Sequence, residues 1–218
     1  MTVAEPTWTI VVGGGSGQRF GALKQYELVG DLRVIDRARA TAEEATDGVV
    51  VVVPAADADR EGGVAGGDTR SASVRAGLAA VPEEASIICV HDAARPFATA
   101  ALYRRVIAAV LDGADGAIPG VAVTDTIKVV SDGEVVSTLD RSTLVAVQTP
   151  QAFRADVLRR AHDGGDASTD DAALVEALGG RVVVVAGEAD NRKITHPDDL
   201  DWARRRVTAG DVPIGVSP

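Results

Sequence analysis

The residues of this chain that could do chemistry gather in a few short stretches. Residues 10–24 read IVVGGGSGQRFGALK, an apolar run followed by a glycine-rich turn and then Arg19 and Lys24. Glycines let backbone N–H groups approach an anion closely and form a nest for phosphate oxygens. Two cations just behind such a turn can stand over those phosphates. A merely structural turn is the alternative for the glycines taken alone. The dinucleotide fingerprint G-x-G-x-x-G fails in both registers, because its third glycine would fall on Gln18 or on Phe20. A Walker A loop fails as well, since Lys24 follows Leu23 and precedes Gln25 rather than a hydroxyl residue.

Three further stretches follow. HDAARPF, residues 91–97, comes directly after an apolar run and carries Asp92 and Arg95. Ligands of open α/β sheets bind beyond the carboxyl ends of the strands, so both residues emerge where a site is expected. An aspartate beside a triphosphate suits Mg²⁺, which takes one or two carboxylates plus phosphate oxygens; a structural Asp–Arg ion pair is the alternative. GGDTRSASV, residues 66–74, is a second glycine turn at a helix start, where anions and acceptors are favoured, or where Thr69 or Ser71 simply caps. NRKIT, residues 191–195, sets Lys193 after a valine run. Ser168-Thr169-Asp170-Asp171 has the pattern of a capping box. His162 and His196 lack ligand-like neighbours and read as surface residues. No Cys/His metal cluster and no Ser/His/Asp arrangement is present. A reaction whose nucleophile is already an anion needs no general base.

The elements that must position these residues follow from periodicity. Residues 9–12, 49–53, 87–90 and 182–185 are apolar throughout, as strands buried on both faces of a parallel sheet tend to be. Val74, Leu78 and Val81 keep helical spacing, and so do Leu102, Val106 and Val110, with Thr99 placed to cap and Gly113 to stop. Residues 169–178 form a third helical pattern, and a fourth begins at Pro197, a favoured first helical position. Strands alternating with helices predict an α/β fold with a mostly parallel sheet covered on both faces. Residues 126–139 break the rhythm: two β-rich runs meet at Asp132-Gly133, a strong hairpin signal. Such a hairpin would protrude as a lid or an arm.

The composition narrows the classes further. The chain has 218 residues, enough for one substantial α/β domain over residues 1–210, with a loosely ordered tail at 211–218. It carries 22 Lys+Arg against 32 Asp+Glu, a net charge of −10. That balance argues against general nucleic-acid binding, which relies on a basic surface. Cys89 is the only cysteine and lies in an apolar run, so a disulfide framework is excluded and a reducing compartment fits. No segment approaches the ~20 apolar residues of a membrane span, and no signal peptide is evident. The expectation is a cytoplasmic protein with no membrane partner.

Taken in order, GGGSGQRFGALKQY, GGDTRSASVRAGL, VHDAARPF, VTDTIK, AVQTPQAF, TDDAALVE and NRKITHPDDL resemble the 2-C-methyl-D-erythritol 4-phosphate cytidylyltransferases of non-mevalonate isoprenoid synthesis. The resemblance runs from about Thr9 to Leu200. It implies a Rossmann-like fold and a β-arm, about residues 122–146, that builds a homodimer. It implies transfer of the CTP cytidylyl group to a polyol phosphate with Mg²⁺, giving 4-diphosphocytidyl-2-C-methyl-D-erythritol and pyrophosphate. Arg19, Lys24 and Lys193 would be catalytic. Gly14, Gly15, Gly17, Gly67, Asp68, Ser73 and Ala93 would bind CTP, and Asp92 would hold the metal. Arg95, Thr126, Arg141, Thr149 and Thr169 would meet the second substrate, partly across the dimer. The chain departs from the family where Gly13-Gly14-Gly15 replaces Ala-Ala-Gly, where Leu23 replaces proline, and where the span from Arg19 to Lys24 is short. A D-ribitol 5-phosphate cytidylyltransferase is the alternative, and its family tends to vary the alanines of HDAARP. A sugar-1-phosphate nucleotidyltransferase, an NAD-dependent oxidoreductase and an inactive binding module are more distant readings.

Overall fold

In a computed structural model, which describes residues 5–15, 20, 23–164 and 170–209, alternate side chains of each apolar run enter opposite faces of one sheet. In chain order, β1 (Thr7–Val12) leads to a small hairpin of β2 (Leu28–Val29) and β3 (Leu32–Arg33), then to α1 (Val34–Ala45) and β4 (Gly48–Val53). Next come α2 (Ala58–Glu61), β5 (Val64–Ala65), α3 (Arg70–Ala80), β6 (Ile87–Asp92), α4 (Ala100–Leu111) and β7 (Gly116–Ala122). The second half has β8 (Lys128–Ser131), β9 (Glu134–Thr138), β10 (Val145–Val147), β11 (Gln151–Arg154), α5 (Ala155–Asp163), α6 (Asp171–Ala177), β12 (Val182–Ala186) and α7 (Pro197–Thr208).

The central sheet runs β5-β4-β1-β6-β11-β7-β12, with β10 also on β7. Neighbours are parallel except at β11 and β10, which run antiparallel to their partners. Ile10, Val50, Val52, Ile88 and Val90 face α3, α5 and α6 through Val74, Leu78, Val157, Leu158 and Val175. Val11, Val51, Val53, Ile87 and Cys89 face α1 and α4 through Ile35, Ala38, Leu102, Tyr103 and Val106. This two-sided burial is why the strands are nearly continuous apolar runs rather than alternating ones. The expected α/β fold with a mostly parallel sheet is therefore what the chain adopts.

The local signals hold in several places. Thr99 caps α4 by accepting from the Leu102 N–H, and Gly113 turns the chain out of the helix at φ +99°. Asp132 and Gly133 both take positive φ, 52° and 84°, as a tight hairpin turn requires. That hairpin, β8–β9, is a separate two-stranded sheet and is exposed along its length. Cys89 is fully buried.

Four expectations need correction. Residues 182–185 are only half buried, because β12 pairs with β7 alone among the described strands and lies at the sheet edge, leaving Val184 54% exposed. His162 is not a surface residue; it is buried beneath α6 with its Nε2 3.1 Å from Asp171 Oδ1. The helix expected from 169 begins at Asp171, and no side chain caps it at Asp170. The acid of the supposed capping box, Asp171, turns inward to Arg70 and His162 instead. His196 is exposed as expected, but it caps α7 reciprocally with Asp199. The 211–218 tail lies outside the described residues.

Candidate active site

The carboxyl ends of β1, β4, β5 and β6 open into a cleft of about 800 Å³. Its floor comes from two glycine turns tied to the same strand ends. Gly13 donates to the Val52 carbonyl at 2.7 Å, Gly66 to Val53 at 2.8 Å, and Ala93 to Val12 at 3.0 Å. Close approach demands glycine here: a Cβ on Gly66 would come within 2.9 Å of Ser73 Oγ, and one on Gly67 within 2.5 Å of the Ala72 Cβ. Gly15 differs, because a Cβ there would meet no heavy atom of the described residues within 4 Å. Its surroundings are open cleft.

Lys24, Asp68, Arg70, Asp92 and Lys193 line this cleft with Gly14, Gly15, Gly67, Ser73 and Ala93. Asp92 is the electrostatic centre. Its Oδ2 accepts from Lys193 Nζ at 2.6 Å and its Oδ1 from Arg70 Nε at 3.2 Å, with only 11% of the side chain exposed. Burial opposes ionisation of Asp92, but the charges of Arg70 and Lys193 outweigh it and hold the carboxyl well below the usual range. Lys24 reaches the cleft despite its short span from Arg19, and its Nζ donates to the Ile194 carbonyl at 2.7 Å. Ile194 in turn donates to the Ala94 carbonyl at 2.8 Å, so the 191–195 segment is laced to both Lys24 and the turn after β6.

Behind Asp92 lies a polar layer. His91 Nε2 is 3.1 Å from the Arg95 carbonyl, which can only accept, so that nitrogen carries the proton and Nδ1 accepts from the Thr149 hydroxyl at 3.1 Å. The same hydroxyl oxygen accepts from the Asp92 N–H at 3.0 Å. Burial pushes His91 down to about 4, so it is neutral near pH 7. Arg95 turns away from the cleft and donates to the carbonyls of Asn191 at 2.7 Å and Val147 at 3.2 Å. Burial lowers its pKa, and its Nε has no hydrogen-bond partner among the described residues. Asn191, fully buried, donates to the Thr149 carbonyl at 2.8 Å.

The structure thus gathers Gly14, Gly15, Lys24, Gly67, Asp68, Ser73, Asp92, Ala93 and Lys193 around one space. Arg95 and Thr149 sit beside it, through Thr149's bond to Asp92 and Arg95's to Asn191. Thr126 and Arg141 lie exposed around the β8–β9 arm, where the Arg141 guanidinium donates to the Thr124 carbonyl. Gly17, Arg19 and Thr169 fall outside the described residues. The Asp92–Arg95 ion pair considered from sequence is not formed; Arg70 and Lys193 pair with Asp92 instead.

Sequence reasoning missed Arg70 and Asp171. Arg70 is the first residue of α3, where the helix dipole disfavours a cation. That local conflict is the signal that could have marked it, and Asp92 and Asp171 resolve it.

Comparison with known proteins places this geometry in context. The model of the IspD family, 2-C-methyl-D-erythritol 4-phosphate cytidylyltransferase, matches residues 7–209. The chain is 43% identical over 219 residues to the 2-C-methyl-D-erythritol 4-phosphate cytidylyltransferase of Rubrobacter xylanophilus, covering 92% of this chain and 94% of that protein. It is 46% identical over 222 residues to a bifunctional IspD/IspF enzyme of Anaeromyxobacter dehalogenans, covering 92% of this chain but 56% of that protein. The chain therefore spans about half the length of that bifunctional relative. A crystal structure of 4-diphosphocytidyl-2C-methyl-D-erythritol synthase from Anaerococcus prevotii superimposes with a TM-score of 0.82 at 28% identity, over 94% of this chain and 99% of that one. The cytidylyltransferase structure from Thermus thermophilus gives 0.79 at 32% identity, over 91% and 98%.

Proposed function

Because the chain belongs to the 2-C-methyl-D-erythritol 4-phosphate cytidylyltransferase family, we propose that it joins CTP to 2-C-methyl-D-erythritol 4-phosphate. The products are 4-diphosphocytidyl-2-C-methyl-D-erythritol and pyrophosphate. A phosphate oxygen of the polyol phosphate attacks the α-phosphorus of CTP in line. The new P–O bond forms as the bond to the bridging oxygen breaks, and that electron pair leaves with pyrophosphate.

The observation that carries this reading is a cleft faced by three cations, in which the one buried carboxylate, Asp92, is held by Arg70 and Lys193. Lys24, Arg70 and Lys193 face it, and the described lining residues include no histidine. His91, the nearest, is buried and occupied by Thr149 and the Arg95 carbonyl. Such a site suits a nucleophile that is already anionic, and a phosphomonoester with a second pKa near ~6 is one. The protein's task is then positioning and charge neutralisation. Lys24 and Lys193, with Arg19 on resemblance, would bear on the triphosphate, and the open space at Gly15 leaves room for its close approach. Gly67, Asp68 and Ser73 would meet the cytidine, with Gly14 and Ala93 in the walls. Arg95, Thr149, Thr126, Arg141 and Thr169 would serve the polyol phosphate.

The donor set fits a divalent cation. Asp92 is one ionised carboxylate at the cleft floor, and no group of three or more His, Cys, Asp or Glu occurs among the described residues. Mg²⁺ uses one or two carboxylates together with phosphate oxygens, so a protein cage is unnecessary. When bound, it would supply neutralisation of triphosphate charge. Val130, Val135 and Val136 on the arm are 55–63% exposed, which supports a homodimer through that hairpin. Among the described residues no helix is long and apolar enough to cross a membrane.

The test offers 2-C-methyl-D-erythritol 4-phosphate and D-ribitol 5-phosphate side by side with CTP and MgCl₂ while pyrophosphate is followed. Faster turnover of the first is expected. Faster turnover of ribitol phosphate overturns the substrate, and no pyrophosphate from either overturns the activity.

A further inference from the structure

Asp171 belongs to no part of the site as described, yet it is the most deeply buried acid connected to it. It is 1% exposed and does not line the cleft. Its Oδ2 accepts from Arg70 Nη1 at 2.7 Å and its Oδ1 lies 3.1 Å from His162 Nε2. Arg70 gives its other branch, Nε, to Asp92 at 3.2 Å. One planar guanidinium thus bridges the buried acid at the start of α6 and the acid in the cleft.

We propose that Asp171 is a positioning residue, which acts through Arg70 to hold Asp92 available for a divalent cation carried in with CTP. This rests on the cytidylyltransferase reading. The argument is geometric and electrostatic. A rigid fork clamped at one end presents its other end at a fixed place, so Asp171 sets where Arg70 meets Asp92. Arg70 also divides its single charge between two carboxylates. Asp92 therefore keeps enough negative charge to hold Lys193 at 2.6 Å. With a neutral residue at 171, Arg70 turns wholly onto Asp92, and an incoming cation must compete with it. Partners one step behind a metal ligand change metal affinity about 10–100-fold. The rival account is that Asp171 merely ties α5 to α6 through His162.

The experiment measures CTP binding by calorimetry across a MgCl₂ series, without the second substrate. The proteins are wild type, Asp171→Asn, Arg70→Lys and the double variant, each with its Tm. Lysine keeps the charge of Arg70 but lacks the planar fork whose separated N–H groups reach both acids in a fixed geometry. The half-saturating MgCl₂ should rise at least about tenfold in Asp171→Asn. It should rise similarly in Arg70→Lys and no further in the double variant, since the two residues act as one device. A wild-type MgCl₂ dependence in either single variant, or additive effects in the double, overturns the proposal. If Asp171→Asn does not fold, Asp171→Glu takes its place, since it keeps the charge but moves the anchor of Arg70, and a wild-type MgCl₂ dependence there overturns the proposal. Failure of wild type to bind CTP at any MgCl₂ concentration would instead sink the functional reading beneath it.

Discussion

Replacing Lys193 with alanine should separate catalysis from stability. Its Nζ lies 2.6 Å from Asp92 Oδ2, but the lysine side chain is 37% exposed while that of Asp92 is 11% exposed. Breaking a fully buried ion pair costs about 3–5 kcal/mol, because it strands a charge. Here two facts reduce that figure. Solvent screens the lysine, and exposed pairs are worth only about 0–1 kcal/mol. Asp92 also retains Arg70 at 3.2 Å, so its buried carboxylate is not left alone. A loss of about 1 kcal/mol corresponds to a Tm decrease of about 2–4 °C for a chain of this size. The proposed reaction is another matter, because the lysine lines the cleft and would there face the charge that builds on the phosphoryl oxygens. Removing one preorganised contact of that kind costs about 2.7–4 kcal/mol, or 10²–10³ in rate. The assay is steady-state pyrophosphate release with CTP and methylerythritol phosphate, paired with differential scanning fluorimetry. A rate within tenfold of wild type would refute Lys193's role, and a Tm decrease beyond about 10 °C would refute the screening argument.

Glycine substitutions should behave oppositely at two positions. Gly15→Ala meets no atom of the described residues within 4 Å, so its Tm should match wild type while the Kd for CTP rises about tenfold. Gly77→Ala would place a Cβ 2.5 Å from Ile10 Cγ2 in the core, costing about 1–3 kcal/mol without weakening CTP binding by the folded protein. Equal Tm values for the two would contradict this. His91 has its pKa lowered to about 4, against ~6.5 in the unfolded chain. Between those values the unfolded chain binds the proton and the folded one does not, so stability is lost as pH falls from ~6.5 to about 4, by about 3 kcal/mol. Urea midpoints should show that loss in wild type and a flatter slope in His91→Gln; parallel slopes would exclude it. Val136, 63% exposed on the arm, should hold two copies together, so Val136→Asp should give a monomer by light scattering where wild type gives a dimer. A monomeric wild type, or a dimeric variant, would place the interface elsewhere or nowhere.

The glycine turns show how far local chemistry can be read from a chain. Their residue types alone point to close backbone approach, and the counted registers exclude two phosphate-binding motifs. The structure then adds which contacts demand each glycine: Gly66 and Gly67 abut Ser73 and Ala72, while Gly15 faces open space. Asp92 illustrates the opposite limit. Its position at a strand end was legible, but its partners were not, since Arg70 lies 22 residues before it and Lys193 lies 101 after it. Spacing along a chain carries little information about contacts closed by a sheet.

What the sequence determined by itself was therefore whatever neighbouring residues decide among themselves. The strands buried on both faces, the Thr99 cap and the Asp132-Gly133 turn are all of this kind. Tertiary structure alone decided the fate of the polar residues. His162 looked like a surface histidine and is buried on Asp171, and the Thr149 hydroxyl is held between His91 and the Asp92 N–H. The physical reason is that burial of a polar group is tolerated only with a partner, and the parallel sheet brings those partners from distant parts of the chain.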